Sequence, residues 1–173
     1  KKKQELQEER FIIRSWNGWM LFIWRKFLNM EIRPVLTQEV DLLAALAAKL
    51  WPHHSKEELS EEFCEFLSCG IIFAAFEDSQ MVGFAQCSLR NDYVEGCSHS
   101  PVGYLEGIFV LENYRQKGIS RQLLSCCEVW AKKQGCREFA SDCELDNTQS
   151  LSFHLACGFE EANRIICFTK KLT

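Results

Sequence analysis

YLEGIFVLENYRQKGISRQLL, residues 104–124, changes its periodicity twice within a short span. Leu105 to Leu111 is apolar and partly β-branched except at Glu106 and Gly107, the pattern of a buried strand. Glu112, Asn113 and Tyr114 break it, and Arg115 to Ser120 follow as a basic turn with a single glycine. Leu123, Leu124, Cys127, Val129 and Trp130 then recur at helical spacing between polar residues. A strand, a basic glycine turn and a helix together suit a phosphate. The first helical amides have no carbonyl partner and sit at the positive end of the helix dipole. Gly118, without a Cβ, lets backbone approach the ligand closely. A lone glycine is equally the ordinary way to join a strand to a helix. Neither the G-x-G-x-x-G dinucleotide pattern nor the Gly-Lys-Ser/Thr of a P-loop is present.

The 173 residues suit one domain with a substantial core. Ten cysteines form no CxxC pair and mostly sit among apolar neighbours. They read as small buried hydrophobes in a reducing, cytoplasmic setting rather than as a disulfide or zinc framework. The net charge of −4 is unevenly spread. Residues 1–30 hold seven Lys/Arg against three Glu, and residues 31–173 hold thirteen against twenty-one Asp/Glu. An acidic body argues against a nucleic-acid partner and favours a small cationic one.

Residues 1–29 read as an extension outside the domain, which is expected to occupy 30–173. Phe11, Trp16, Trp19, Phe22, Trp24 and Phe27 are interrupted by Arg14, Asn17, Arg25 and Lys26, a run too short and too charged to span a bilayer. It is either an interfacial helix or sequence upstream of a start at Met30, and the second is preferred. From Glu31 the pattern predicts an edge strand to Val35, then a helix capped by Thr37 that ends near Trp51-Pro52. A second helix is expected over Ser55–Leu67, with Ser55 and Glu58 as a capping box. A hairpin of 71–76 with 81–90 follows, then a polar loop over 91–101, the central strand and its helix. Gly135 caps that helix. A strand over 138–142, a helix over 148–157 and a last strand over 164–170 complete the order.

Arg115, Gly118 and Ser120, after a strand ending in Val110, resemble the acyl-CoA signature of the GNAT N-acetyltransferases. Ser120 stands where Gly or Ala is more usual. KLWPHH up to His54, RNDYV from Arg90, SPVGYLEGIFVL from Ser100, EFASD ending at Asp142, DNT from Asp146 and HLACGFEE from His154 resemble one subgroup. That subgroup is the chromosomal-type aminoglycoside 6′-N-acetyltransferases. The resemblance implies an α/β (α+β) fold, with a mixed central sheet splayed at its middle and flanked by helices. It also implies acetyl-CoA as co-substrate, no metal, a homodimer, and an aminoglycoside as acceptor, with antibiotic resistance as the phenotype.

Acyl transfer to an amine needs a backbone N–H for the carbonyl oxygen, carboxylates for the ammonium and a donor for the leaving sulfur. Unpaired amides at Ile108, Phe109 and Val110 suit the first need. The resemblance assigns acetyl-CoA contacts to these residues and to Arg115, Gln116, Lys117, Gly118, Ile119, Ser120, Arg121 and Asn147. Glu106 and Asp142 are the candidate carboxylates: Glu106 is an acid inside LEGIFVL, whose plain alternative is an outward-facing place on an edge strand, and Asp142 ends the following strand, where capping the next loop is the alternative. Trp51, His54 and Tyr93 match further substrate contacts of the subgroup. Asn163 replaces an acid often found after GF-E-E, so one substrate-binding charge is missing. His154 takes the slot where many GNAT enzymes carry a tyrosine that protonates the thiolate, and a packing role suits it as well. Two other functions compete with this reading. One is a GNAT enzyme for another amine, a polyamine or a peptide N-terminus, and the other is a CoA-binding module without catalysis.

Overall fold

A computed structural model describes residues 30–172, so the expectations for 1–29 lie outside the described residues. Five strands form one sheet in the order β1-β2-β3-β4-β5. They are β1 (Met30–Pro34), β2 (Ile71–Glu77), β3 (Gln80–Arg90), β4 (Val102–Val110) and β5 (Phe139–Ser141). The helices are α1 (Val40–Ala47), α2 (Lys56–Phe66), α3 (Ile119–Lys133) and α4 (Thr148–Ala156). The first four strands are antiparallel neighbours, whereas β5 runs parallel to β4. This is the mixed sheet expected of the sequence.

Two helical layers enclose the sheet. On one face Leu43 and Leu46 of α1 and Leu59 and Phe63 of α2 meet Ile72, Ala74 and Phe84. On the other, Ile119, Leu123, Leu124 and Cys127 of α3 meet Val82, Ala85, Cys87, Leu105 and Val110. All ten cysteines carry free thiols. Cys127 lies in this second core, where its contact with Cys87 and burial both push its thiol pKa up and keep it protonated. No helix among the described residues is long and apolar enough to cross a membrane.

Local chemistry sets most element ends. Ser55 accepts the Glu58 amide while Glu58 accepts the Ser55 amide, the expected reciprocal box. Asp78 and Ser79 both take left-handed φ, 48° and 69°, giving a hairpin turn one residue tighter on each side than the sequence suggests. Thr37 is not the cap of α1. A 3₁₀ turn over Thr37–Glu39 leads in, and the Glu39 carboxylate accepts the Leu36 amide at 3.0 Å while Arg33 grips it at 2.7 and 2.8 Å. The amides that a Thr37 cap would take are already bonded to backbone, Glu39 N–H to Leu36 O and Val40 N–H to Thr37 O.

The decisive irregularity is in β4. Gln86 pairs with Gly107 and Cys87 with Leu105, so Glu106 is one residue too many on its strand. Above the bulge Val102 and Tyr104 share a face, and below it Gly107 and Phe109 take that face over. β5 pairs with β4 only at Gly103, Tyr104 and Leu105. From Glu106 onward, among the described residues, β4 is paired on the β3 side alone. This is the expected splay.

The last expected strand is not formed. Residues 160–172 are exposed throughout, with Ile165, Ile166 and Phe168 at 63, 76 and 91% of full exposure. The segment has strand-like composition, but a strand exists only against a partner edge, and among the described residues no edge takes it.

The Arg33 hydrogen bonds, against a smaller opposing effect of burial, lower the Glu39 carboxyl from 4.5 to about 2. Its contribution to stability is therefore full above pH 4.5 and lost as pH falls through about 2. Glu39→Gln is expected to cost about 1–2 kcal/mol at neutral pH, and to remove that part of the acid dependence, in urea unfolding at several pH values.

Candidate active site

The turn after β4 carries the anion-binding features. Gln116 and Gly118 both adopt left-handed φ, 59° and 76°, and Gly118 is the N-cap of α3. A non-glycine residue held there costs about 1–3 kcal/mol, strain that collects at ligand clamps. Alternating left-handed residues turn successive N–H groups to one side, a nest for phosphate oxygens. The first intrahelical bond runs from Gln122 N–H to Gly118 O, so the amides of Ile119, Ser120 and Arg121 have no carbonyl one turn back. Arg115 Nε donates to Val110 O at 3.0 Å, which ties the turn to the end of β4. Lys117 donates to Asn113 O, and Arg121 donates to Ala156 O at the end of α4. Asn147 caps α4 by accepting the Ser150 amide.

The gap between β4 and β5 exposes particular amides. Leu111 N–H donates to Val82 O on β3, and backbone directions alternate along a strand. Hence Phe109 N–H also faces β3, while Ile108 and Val110 N–H face the gap. Two of the three expected amides are thus open, and the third belongs to the sheet.

Across the bulge face runs a chain of polar contacts. Glu106 accepts Ser88 Oγ at 2.5 Å, Arg90 Nε at 3.2 Å and Arg90 Nη2 at 2.8 Å. The Arg90 guanidinium carbon lies 3.2 Å from the centroid of the Tyr104 ring. The Tyr104 hydroxyl in turn donates to Asp142. Burial and then the Asp142 carboxylate push the Tyr104 hydroxyl pKa well up, so it stays a donor. Burial works against the Arg90 charge, yet the hydrogen bond and charge of Glu106 raise its pKa above the ordinary value. Glu106 on β4 and Asp142, one residue past the end of β5, are therefore joined through Arg90 and Tyr104.

Beside this chain, Trp51, His54, Leu59, Glu62, Phe63 and Gln86 line a cavity of about 200 Å³. Its floor needs Gly107, because a Cβ there would lie 2.8 Å from the Trp51 ring. His54 Nδ1 is 3.9 Å from Glu62. Tyr93 stands outside, 80% exposed, with its hydroxyl turned onto Glu95 of its own loop. Asn163 lies on the exposed terminal segment and accepts the Arg164 amide.

His154 is wedged rather than free. Its ring meets Phe153 and Phe159 edge-on at 5.5 and 5.0 Å. Nδ1 donates to Ser150 O at 2.7 Å, and Nε2 is 3.0 Å from Ser141 Oγ. Ser141 also donates to Leu105 O, so His154 connects to the splayed end of β4 through a hydroxyl. Packing and a polar link coexist here.

Sequence reasoning missed Arg90, Ser88, Tyr104, Ser141, Gln86 and Glu62. One signal was available: Gln86, Ser88 and Arg90 put polar groups on every second residue of a strand whose earlier half is apolar.

The model of the acetyltransferase (GNAT) family matches residues 38–159. The aminoglycoside N(6′)-acetyltransferase type 1 of Salmonella typhimurium is 41% identical over 144 residues, 82% of this chain and 99% of that protein. The enzyme of the same name from Acinetobacter baumannii is 38% identical over 146 residues, 83% of this chain and 99% of that one. Among solved structures, AAC(6′)-Iy in complex with the bisubstrate analogue CoA-S-monomethyl-acetylneamine is 40% identical. It superimposes with a TM-score of 0.79 over 83% of this chain and 99% of its own.

Gly107→Ala is expected to force the Trp51 indole off the cavity floor. It should lower stability by about 1–3 kcal/mol in urea unfolding, with a shift in tryptophan emission.

Proposed function

The chain belongs to the GNAT acetyltransferase family, and we propose that it transfers acetyl from acetyl-CoA to the 6′-amino group of aminoglycosides. Aminoglycoside resistance and a cytoplasmic site of action go with this reading. Supporting it is the juxtaposition of Glu106 and Asp142 with the open amides of β4 and the nest at the head of α3. The pyrophosphate of CoA lies on the Gln116–Arg121 amides, with Arg115 and Lys117 beside it. The thioester carbonyl accepts from Ile108 or Val110 N–H, which steadies the oxyanion as the amine attacks.

The acceptor's ammonium groups are held by Glu106, Asp142 and Glu62, with Trp51 as an apolar wall. Asp142 is the better proton acceptor of the first two. It is exposed and engaged by one hydroxyl, whereas the Glu106 oxygens already take three donors. As the C–S bond breaks, a proton reaches the thiolate from His154, directly or through Ser141. Tyr93 and Asn163 would join the substrate only after rearrangement of their exposed segments. Asn147, whose amide oxygen caps α4, has only its NH₂ to offer CoA.

The assembly is a homodimer in which the segment 164–172 lies against a second copy, covering Ile165, Ile166 and Phe168. Phe168→Asp is expected to halve the mass measured by light scattering. An unchanged mass would exclude this segment from the interface, and a monomeric parent protein would exclude the dimer.

Release of CoA thiol should be followed with kanamycin, tobramycin, spermidine and a basic peptide in parallel. Rapid release with the two aminoglycosides is expected, and none with either would defeat the reading. His154→Phe should lower kcat by about tenfold or more, in line with general acid catalysis, with the KM for acetyl-CoA little changed.

A further inference from the structure

Glu106 is not an empty seat for a cation. Its two oxygens already receive Arg90 Nε and Nη2 and the Ser88 hydroxyl, three donors on a group with about four acceptor directions. A guanidinium that meets a carboxylate through two nitrogens does so more tightly than a single ammonium can. Its flat face also lies on the Tyr104 ring, which adds attraction that an incoming amine does not inherit. The positive charge of the protein itself thus occupies the acid that a cationic acceptor needs.

Arg90 is nevertheless able to leave. Its side chain is 41% exposed and that of Glu106 25%, so the guanidinium has water beside it. Asp142 remains open on one side of the pair, and Glu62 lines the cavity on the other. A rigid acceptor with several ammonium groups engages these outlying acids first. Its next ammonium then competes for Glu106 at a high local concentration. A flexible diamine gains little from the outlying acids and must order its chain to reach them.

We propose that Arg90 is a specificity-determining counter-ion, which holds Glu106 until a rigid, multiply charged amine displaces it and so excludes small flexible amines from the acceptor seat. This rests on the aminoglycoside reading above, and the experiment separates the two. Kinetics of the intact chain with acetyl-CoA are measured for kanamycin and for 1,5-diaminopentane, in the parent protein and in Arg90→Gln, Arg90→Met and Arg90→Lys. Removing the charge, with Gln or with Met, is expected to lower the diamine KM about tenfold or more relative to the kanamycin KM, a change worth about 1.4 kcal/mol. Arg90→Lys keeps the charge but loses the two-nitrogen grip and the stacking on Tyr104, so its ratio should fall between those of the parent and the neutral variants. The Met variant keeps an unbranched apolar stem over the Tyr104 ring and stands in if the Gln variant does not fold.

A ratio unchanged in a folded, active Gln or Met variant overturns the inference. So does an equal rise of both KM values in all three variants, since that marks Arg90 as a support for the Glu106 rotamer alone. If the parent protein acetylates the diamine but no aminoglycoside, the proposed function fails. The role of Arg90 is then judged by the diamine KM, which must fall when the charge is removed.

Discussion

One extra residue in β4 sets the geometry of this molecule. Without Glu106 in the bulge, β4 would keep strict alternation against β3, and Tyr104 and Gly107 would point to opposite faces. The insertion puts Tyr104, Glu106 and Gly107 on the same side, above the cavity floored by Trp51. Just below the bulge, β4 loses β5 as a partner. Backbone groups that a regular sheet would consume are therefore available for a ligand. A strand can expose amides in the interior of a fold only where a neighbour has been peeled away. Here the peeling begins at the residue that carries the acid.

The polar face built on that bulge is a relay of alternating partners. Ser88 and Arg90 fix Glu106, Arg90 lies on Tyr104, and Tyr104 bonds Asp142. Each member satisfies the next, which is what a partly buried set of charges requires if it is not to destabilise the fold. The same arrangement leaves Asp142 with most of its acceptor directions free and Glu106 with about one. Two carboxylates thereby stand in different surroundings. The difference comes from their neighbours, not from their own side chains.

The co-substrate side follows a separate logic and is more local. Gln116 and Gly118 are left-handed within three residues of each other, and α3 starts at the second of them. Arg115 binds this turn to the Val110 carbonyl, which links the left-handed turn directly to the open end of β4. His154 reaches the same region from α4 through Ser141 and Leu105 O. The acyl group is thus bracketed by elements from both sides of the splay. The exposed segment beyond Phe159 stands outside this frame. Its apolar side chains have the composition of a strand and meet no partner surface among the described residues.

What the sequence determined by itself was local. The strand-turn-helix at 104–124, the capping box at Ser55 and Glu58, and the glycine ends of α3 and α4 depend on residues a few positions apart, and each was legible as written. Glu106 could be singled out because an acid in an apolar run carries a solvation cost that needs a partner or a ligand to offset it, and Asp142 by its place at the end of the next strand. The arrangement at Glu39 was not legible. It depends on a 3₁₀ turn that starts at Leu36, with Arg33 of β1 and the Leu36 amide both donating to Glu39. The bulge was equally hidden, since an extra residue exists only relative to the register of β3. Arg90 closes the expected strand over 81–90, and only pairing sets it opposite Val102, within reach of Glu106. Nothing local singles out Tyr104 or Ser141. The last strand failed for the mirror reason: alternation supplies the side chains of a strand, but only tertiary or quaternary structure supplies the edge that makes it one.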